Sequence, residues 1–337
     1  LNYWKRYITI ISDPVLINFL TPLEKCLMVP LNLVMPFREK IFRSPFLALG
    51  LIREDWEKED RPPILELSDE DKERGRECLG SLGVPKDAWF VCLHVRAPGW
   101  RDNASVSEDY RNADIATYLS AIEVIASAGG WVIRMGDAGM KTLPKLSRVI
   151  DYAHSDVKSD WMDVFLCASC RFFIGTSSGL YAIPIAFGVP VAMTNLLPVY
   201  AMYGLTRNDL VIPRLCRKKG NGQYLSFEEL ISPPVGIAGS RASYEMLGCE
   251  IMPNEPDDIK ELVIEMMEKG NGTGKYRHEE EQLQFQFRLL TEKCSNLYGG
   301  ESMAVYSRIG RYFLRKHAAL LLSSVEKPVE IEVGVNR

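Results

Sequence analysis

Two short polar stretches follow apolar runs, and their residue types suit the binding of an anion. His94-Val95-Arg96 closes the run AWFVCLHV (88–95). Thr176-Ser177-Ser178-Gly179 follows RFFIG (171–175) and opens the apolar stretch LYAIPIAFG. A phosphate is held by free backbone N–H groups at a helix start, by hydroxyls and by a guanidinium fork. Thr176, Ser177 and Ser178 offer the hydroxyls, Gly179 allows close approach to the backbone, and Arg96 or Arg111 offers the charge. A plain serine cap beside a packing glycine accounts for the same four residues without a ligand.

His94 and Arg96 alternate along a strand and therefore share a face near its end. His94 reads either as a catalytic imidazole or as a satisfied core histidine. The loop APGWRDNASVSEDYRN carries Asp102, Asp109 and Asp114, candidate general bases that also suit a solvated loop. Asn112 suits a helix cap as well as a donor contact. A third strand end, after WVIRMG (131–136), delivers Arg134 and Asp137. P-loop, dinucleotide-fingerprint and H-E-x-x-H motifs do not occur.

The eight cysteines are scattered, with one C-x-x-C at Cys167 and Cys170. A zinc site needs a second pair or histidines at ligand spacing, so no metal is expected and the thiols read as buried small hydrophobes in a reducing compartment. A net charge of −4 gives no basic surface for nucleic acid.

These residues need elements to position them. Strands at 88–95, 131–136, 149–153, 171–175 and 190–194 alternate with helices. One helix is capped by Asn112, with Ile115, Tyr118, Leu119, Ile122 and Ala126 on its apolar face; others cover 159–169 and the stretch after Gly179. The alternation predicts an α/β fold with a doubly wound, Rossmann-like parallel sheet, whose ligands lie outside the carboxyl ends of the strands. Ser68 and Asp71 predict a capped helix ending at Gly83, and Pro256 one bearing Ile259, Leu262, Val263, Met266 and Met267. Residues 277–294 and 302–323 read as further helices. Upstream, 7–13 reads as a strand, 59–63 as a linker, and 15–37 as an apolar, proline-broken segment that packs on the C-terminal helices or associates with a membrane surface. The chain begins at Leu1 rather than Met and reads as a piece of a longer polypeptide.

The blocks HVRAPGWRDNASVSEDYRNADIATYLSAI, GGWVIRMGD, VIDYAHSDVKSDWMDVFLCASCRFFIGTSSGL and FGVPVAMTN together resemble a bacterial family of GT-B-type glycosyltransferases of surface-polysaccharide synthesis. The likeness spans roughly residues 88–270. A looser one links His94-Val95-Arg96 and Thr176-Ser177-Ser178 to the H-x-R and T-x-S-S motifs of the fucosyltransferase clan, although Ala97-Pro98 stands where that clan usually repeats a basic residue.

The resemblance implies a GT-B fold with an incomplete N-terminal, acceptor-side region (1–84) and a nucleotide-sugar-binding domain (85–337). It implies a cytoplasmic protein with a GDP- or UDP-sugar donor as substrate and a glycan or lipid-linked acceptor, and, if 15–37 associates with a membrane, a place at its inner face. The helix start with Arg96 and the lack of a metal-ligand cluster lead to the expectation of no cofactor or metal. Arg96, Ser177 and Ser178 would contact the diphosphate, with Arg111, Asn112, Asp137, Thr176 and Gly179 completing the donor site. His94, Asp102, Asp109 or Asp114 would take the acceptor proton. A nucleotide-sugar epimerase of the same architecture and a non-catalytic sugar-nucleotide-binding domain are the alternative readings.

Overall fold

The fold is seen in a computed structural model that describes residues 56–63, 65–98, 106–295 and 305–321. The strand expected at 7–13, the segment 15–37 and Asp102 lie outside the described residues. Seven strands form one parallel sheet: β1 (Phe90–His94), β2 (Trp131–Arg134), β3 (Val149–Ile150), β4 (Phe173–Gly175), β5 (Val191–Leu196), β6 (Leu210–Pro213) and, late in the chain, β9 (Arg308–Ile309). Their order is β3-β2-β1-β4-β5-β6-β9, so the chain winds outward from β1 in one direction and then, from β4, in the other. β1 is bonded to both neighbours, Cys92 standing beside Ile133 of β2 and Phe173 of β4. Strands covered on both faces must be apolar throughout, and Phe90 to Leu93, Phe173 and Ile174, and Val191 to Met193 are all buried. This is the doubly wound, Rossmann-like α/β class.

Helices flank the sheet in pairs. α1 (Asp69–Ser81) starts where Ser68 Oγ accepts the Asp71 amide at 3.1 Å. It packs on α3 (Asp160–Ser169), and Trp161 Nε1 donates to Asp71 Oδ1 at 2.9 Å. α2 (Leu119–Ser127) packs on α7 (Pro256–Gly270), whose Ile259, Leu262, Val263 and Met266 are buried as their spacing predicts.

The entry to α2 departs from expectation. Asp114, not Asn112, caps it, accepting the Ala116 amide at 3.0 Å, and residues Ile115–Tyr118 form a 3-10 turn. Three residues per turn instead of 3.6 rotates the later positions, so Ala121 and Ile125 are buried while Leu119 and Ala126 are only half-buried. β3 likewise stops at Ile150, and Tyr152–His154 turn into another 3-10 segment.

The C-terminal part is more broken than the expected helices. α8 (His278–Ser295) matches, but 302–323 contains β9, the short α9 (Arg311–Lys316) and a 3-10 turn, Ala318–Leu321. Between β6 and α7 the chain forms an antiparallel pair, β7 (Leu215–Lys218) and β8 (Cys249–Met252), with α5 (Phe227–Ile231) and α6 (Arg241–Met246) between them. Residues 57–63 are tied down, since Arg207 pairs with Glu57 and Pro63 lies against Gly188. Among the described residues no helix is long and apolar enough to cross a membrane.

Candidate functional site

The winding direction reverses between β1 and β4. Such a switch point opens a crevice at the carboxyl edge, because the segments leaving the two strands diverge. Both sequence motifs stand there, one leaving each strand. They are fastened to each other: Thr176 N donates to His94 O at 3.1 Å, and Arg96 N donates to Thr176 Oγ1 at 3.0 Å. Gly175 permits this contact, since a Cβ there would lie 2.4 Å from the His94 carbonyl oxygen. Further along the same edge Thr194 Oγ1 donates to Gly175 O at 3.0 Å and meets the Tyr118 hydroxyl at 2.6 Å. The ends of β1, β4 and β5 are thus a fixed platform.

Thr176 is fully buried and Ser177 nearly so. Ser178 makes no cap hydrogen bond; its Oγ meets His94 Nδ1 at 3.1 Å. The segment that follows is shorter than its apolar length suggests. Gly179–Tyr181 is a 3-10 turn and α4 (Ala182–Ala186) is little more than one α turn, containing Pro184. A long helix dipole is therefore not the source of any anion affinity; the local amides are. The N–H groups of Ser177, Ser178 and Gly179 have no hydrogen-bond partner among the described residues. Among the described residues nothing lies within 4 Å of where a Gly179 Cβ would stand.

His94 is buried, and burial first, then the charges of Arg134, Arg96 and Lys158 against that of Asp137, lowers its pKa from 6.5 to about 4. It is an uncharged imidazole at neutral pH. Arg96 reaches across to the 3-10 turn Val106–Arg111, donating through Nη1 to Glu108 O and through Nη2 to Glu108 Oε2, both at 3.0 Å. Arg111 donates to the same Oε2.

The other sequence candidates are distributed around this core. Asp109 accepts from Arg241 Nε at 2.7 Å and so ties the turn to α6. Asp114 is the exposed cap of the next turn. Asp137 accepts the Gly139 amide at 2.9 Å in a tight turn. Arg134 is removed from the site: it is buried on Asp151 Oδ1 at 2.7 Å and on the Lys141 carbonyl at 2.8 Å. Asn112 offers its carbonyl to Arg214, while its own Oδ1 is buried without a partner among the described residues.

Arg214 and Glu108 were not singled out from sequence. Arg214 is nearly buried at the carboxyl end of β6, where its backbone N donates to Leu196 O at 3.1 Å. The readable signal was an arginine directly after the apolar run LVIP, the same pattern as Arg96 after β1.

Cys167 and Cys170 lie in the core beside Cys92 of β1, and burial first, then these two neighbouring thiols, holds the Cys92 thiol well above its usual pKa. Among the described residues no group of three or more His, Cys, Asp or Glu side chains is placed to hold a metal ion.

No protein-family model and no curated protein matches the chain. Several solved structures overlap part of it, among them three of glycosyltransferases. A glycosyl transferase family 9 protein from Veillonella parvula aligns with 44% of this chain and 42% of its own, at 13% identity and a TM-score of 0.32. The iron-containing dodecameric glycosyltransferase TibC from enterotoxigenic E. coli aligns with 34% of this chain and 30% of its own, at 19% identity and a TM-score of 0.25. TibC in complex with ADP-D-β-D-heptose, described as a heptosyltransferase, covers 34% and 29% at 17% identity and 0.22. This chain thus spans under half the length of each. The fold class rests on the strand order and register, not on these overlaps.

Proposed function

We propose that the chain is the donor-binding part of a glycosyltransferase that moves a sugar from a nucleoside-diphosphate donor to a glycan or lipid-linked acceptor. The observation that carries this reading is the bond from the Arg96 backbone amide to Thr176 Oγ1, which fastens the exits carrying Arg96 and Ser177-Ser178-Gly179 together at the switch point of a doubly wound sheet. In the proposal the amides of Ser177, Ser178 and Gly179 and the Arg96 guanidinium hold the diphosphate. They stabilise the charge that develops on it as the glycosidic bond breaks, and they do so as preformed donors that need no reorganisation. The chemistry is metal-independent in this reading, because the arginine supplies the positive charge.

His94 acts here as a positioning residue for Ser178. An imidazole with a pKa near 4 is a weak base for an acceptor hydroxyl at neutral pH. Of the loop carboxylates, Asp114 is exposed and is the one assigned to receive the acceptor proton. Synthesis of surface polysaccharide and a GDP- or UDP-sugar donor belong to the same proposal.

Calorimetric titration of GDP and UDP tests it. Arg96→Ala should weaken diphosphate binding about ten- to a hundred-fold, the loss of roughly 1.5–3 kcal/mol typical of a hydrogen-bonded charge. Arg96→Lys should recover only part, because an ammonium keeps the charge but not the fork. Affinities within two-fold of the wild type in both variants would remove the diphosphate from Arg96.

A further inference from the structure

The two arginines of the candidate site share one carboxylate. Glu108 Oε2 accepts from Arg96 Nη2 and from Arg111 Nη2, and Glu108 O accepts from Arg96 Nη1. The cations are the covered members of this trio: the Arg96 and Arg111 side chains are 12% and 22% exposed, against 48% for Glu108. An oxygen that accepts from both forks stands where a phosphate oxygen bound by the same donors would stand.

We propose that Glu108 is a built-in competitor at the donor site, a tethered anion that occupies the Arg96–Arg111 pair until a phosphate ligand displaces it, and so sets the affinity for such ligands. The inference rests on the diphosphate reading above. Among the described residues, two guanidinium groups against one carboxylate leave a charge of +1 over. Burial opposes ionisation of Glu108, yet Arg111 and Arg96 together outweigh it and hold its pKa below the usual value. The carboxylate is therefore charged at neutral pH.

Asp109 is paired with Arg241 and Lys158 with Asp163, at 2.7 and 3.0 Å. Displacing Glu108 is the same cost for every ligand that uses the pair. A diphosphate, with the charge and span to engage both forks, meets that cost with the largest gain; a monophosphate meets it with less. A nucleoside, which carries no phosphate, never engages the pair. Glu108 thereby lowers the affinity of every ligand that uses the pair and leaves nucleoside binding untouched. Exposed as it is, its side chain can turn into water without opening the core.

Glu108→Gln keeps the size of the side chain and removes the competing charge. Calorimetry with GDP, UDP, their monophosphates, guanosine and inorganic pyrophosphate should show diphosphate and pyrophosphate binding tightened about five- to twenty-fold, the scale of one partly screened charge contact. The gain should shrink in high salt, and guanosine affinity should not change. Melting of the free variant within a few degrees of the wild type would show that the turn is intact. Diphosphate affinity that is unchanged or weaker in a folded Glu108→Gln would overturn the inference. If wild-type binding is still lost in Arg96→Ala, the diphosphate site itself survives that result. If neither wild type nor Glu108→Gln binds any diphosphate or pyrophosphate, both readings fall together.

Discussion

His94 sits between the two halves of the candidate site, and its protonation is a quantitative test of how closed that site is. The imidazole is buried, held to Ser178 Oγ through Nδ1 at 3.1 Å, and faces three cations. Its pKa falls from 6.5 to about 4, chiefly through burial. That gap corresponds to roughly 3 kcal/mol between the two protonation states. Because folding lowers the proton affinity, the unfolded chain binds the extra proton first. Stability from this group is complete above pH 6.5 and drains away as pH falls toward 4.

Asp209 works in the opposite sense over an overlapping window. It is fully buried, and burial raises its pKa from 3.8 to about 6 against hydrogen bonds from Thr206 and the Val191 amide. Its contribution is complete below pH 3.8 and is lost as pH rises through about 6. The two effects are similar in size, so the wild-type profile between them understates each. Single variants separate them. Urea unfolding followed by tryptophan fluorescence at pH 7.5, 6, 5 and 4 should show His94→Asn gaining about 3 kcal/mol on the wild type across the series. Asp209→Asn should lose a comparable amount relative to the wild type over the lower part of it. The constant offset from lost hydrogen bonds does not matter; the slope is the readout. A His94→Asn profile parallel to that of the wild type, or an imidazole NMR titration midpoint at or above 6.5, would refute the closed-site geometry.

Two further perturbations test the platform and the core. Gly175→Ala drives a Cβ to within 2.4 Å of the His94 carbonyl oxygen, so it should cost about 3 kcal/mol or more in chemical denaturation. Because Gly175 spaces the β1 and β4 exits, diphosphate binding should fall with it; a variant as stable as the wild type would mean that the two strands can separate freely. Replacing Cys167 and Cys170 together by Ala should lower stability by only about 1–2 kcal/mol and leave diphosphate affinity unchanged, whereas stoichiometric zinc in the wild type that disappears in the double variant would contradict the reading of inert core thiols.

The parts of the molecule that sequence alone made legible are those where one local signal dominates. The strands around 88–95, 131–136 and 171–175 are continuous apolar runs because both faces are covered. The helix from Pro256 carries its cap, its 3.6-residue period and a closing glycine in one stretch. Where signals compete, the reading slipped. Asn112 and Asp114 are both competent caps, and only the 3-10 turn that begins at Ile115 decides between them. Pro213 ends β6 and only Arg214 separates it from β7, so the run LVIPRLCRK shows neither strand clearly.

The same division runs through the site. Arg96 and Thr176 meet because strand order brings β1 beside β4, a consequence of apolar patterning and connection rules that a sequence displays. The partner of Arg96 is set differently. Glu108 is twelve positions away along an aperiodic segment, and neither Asp114 nor Asp137, nearer to strand and helix ends, takes that place: one caps a turn and the other closes one. Backbone amides claimed those two carboxylates first, at close to 3 Å, leaving the guanidinium to the acid whose own turn exposes it. Asp114 and Asp137 are thus held by backbone amides, and the acid that meets Arg96 comes from a position with no such duty. Arg214 shows the cationic counterpart: it follows β6 directly, its own amide donates to Leu196 O, and its side chain turns to the Asn112 carbonyl.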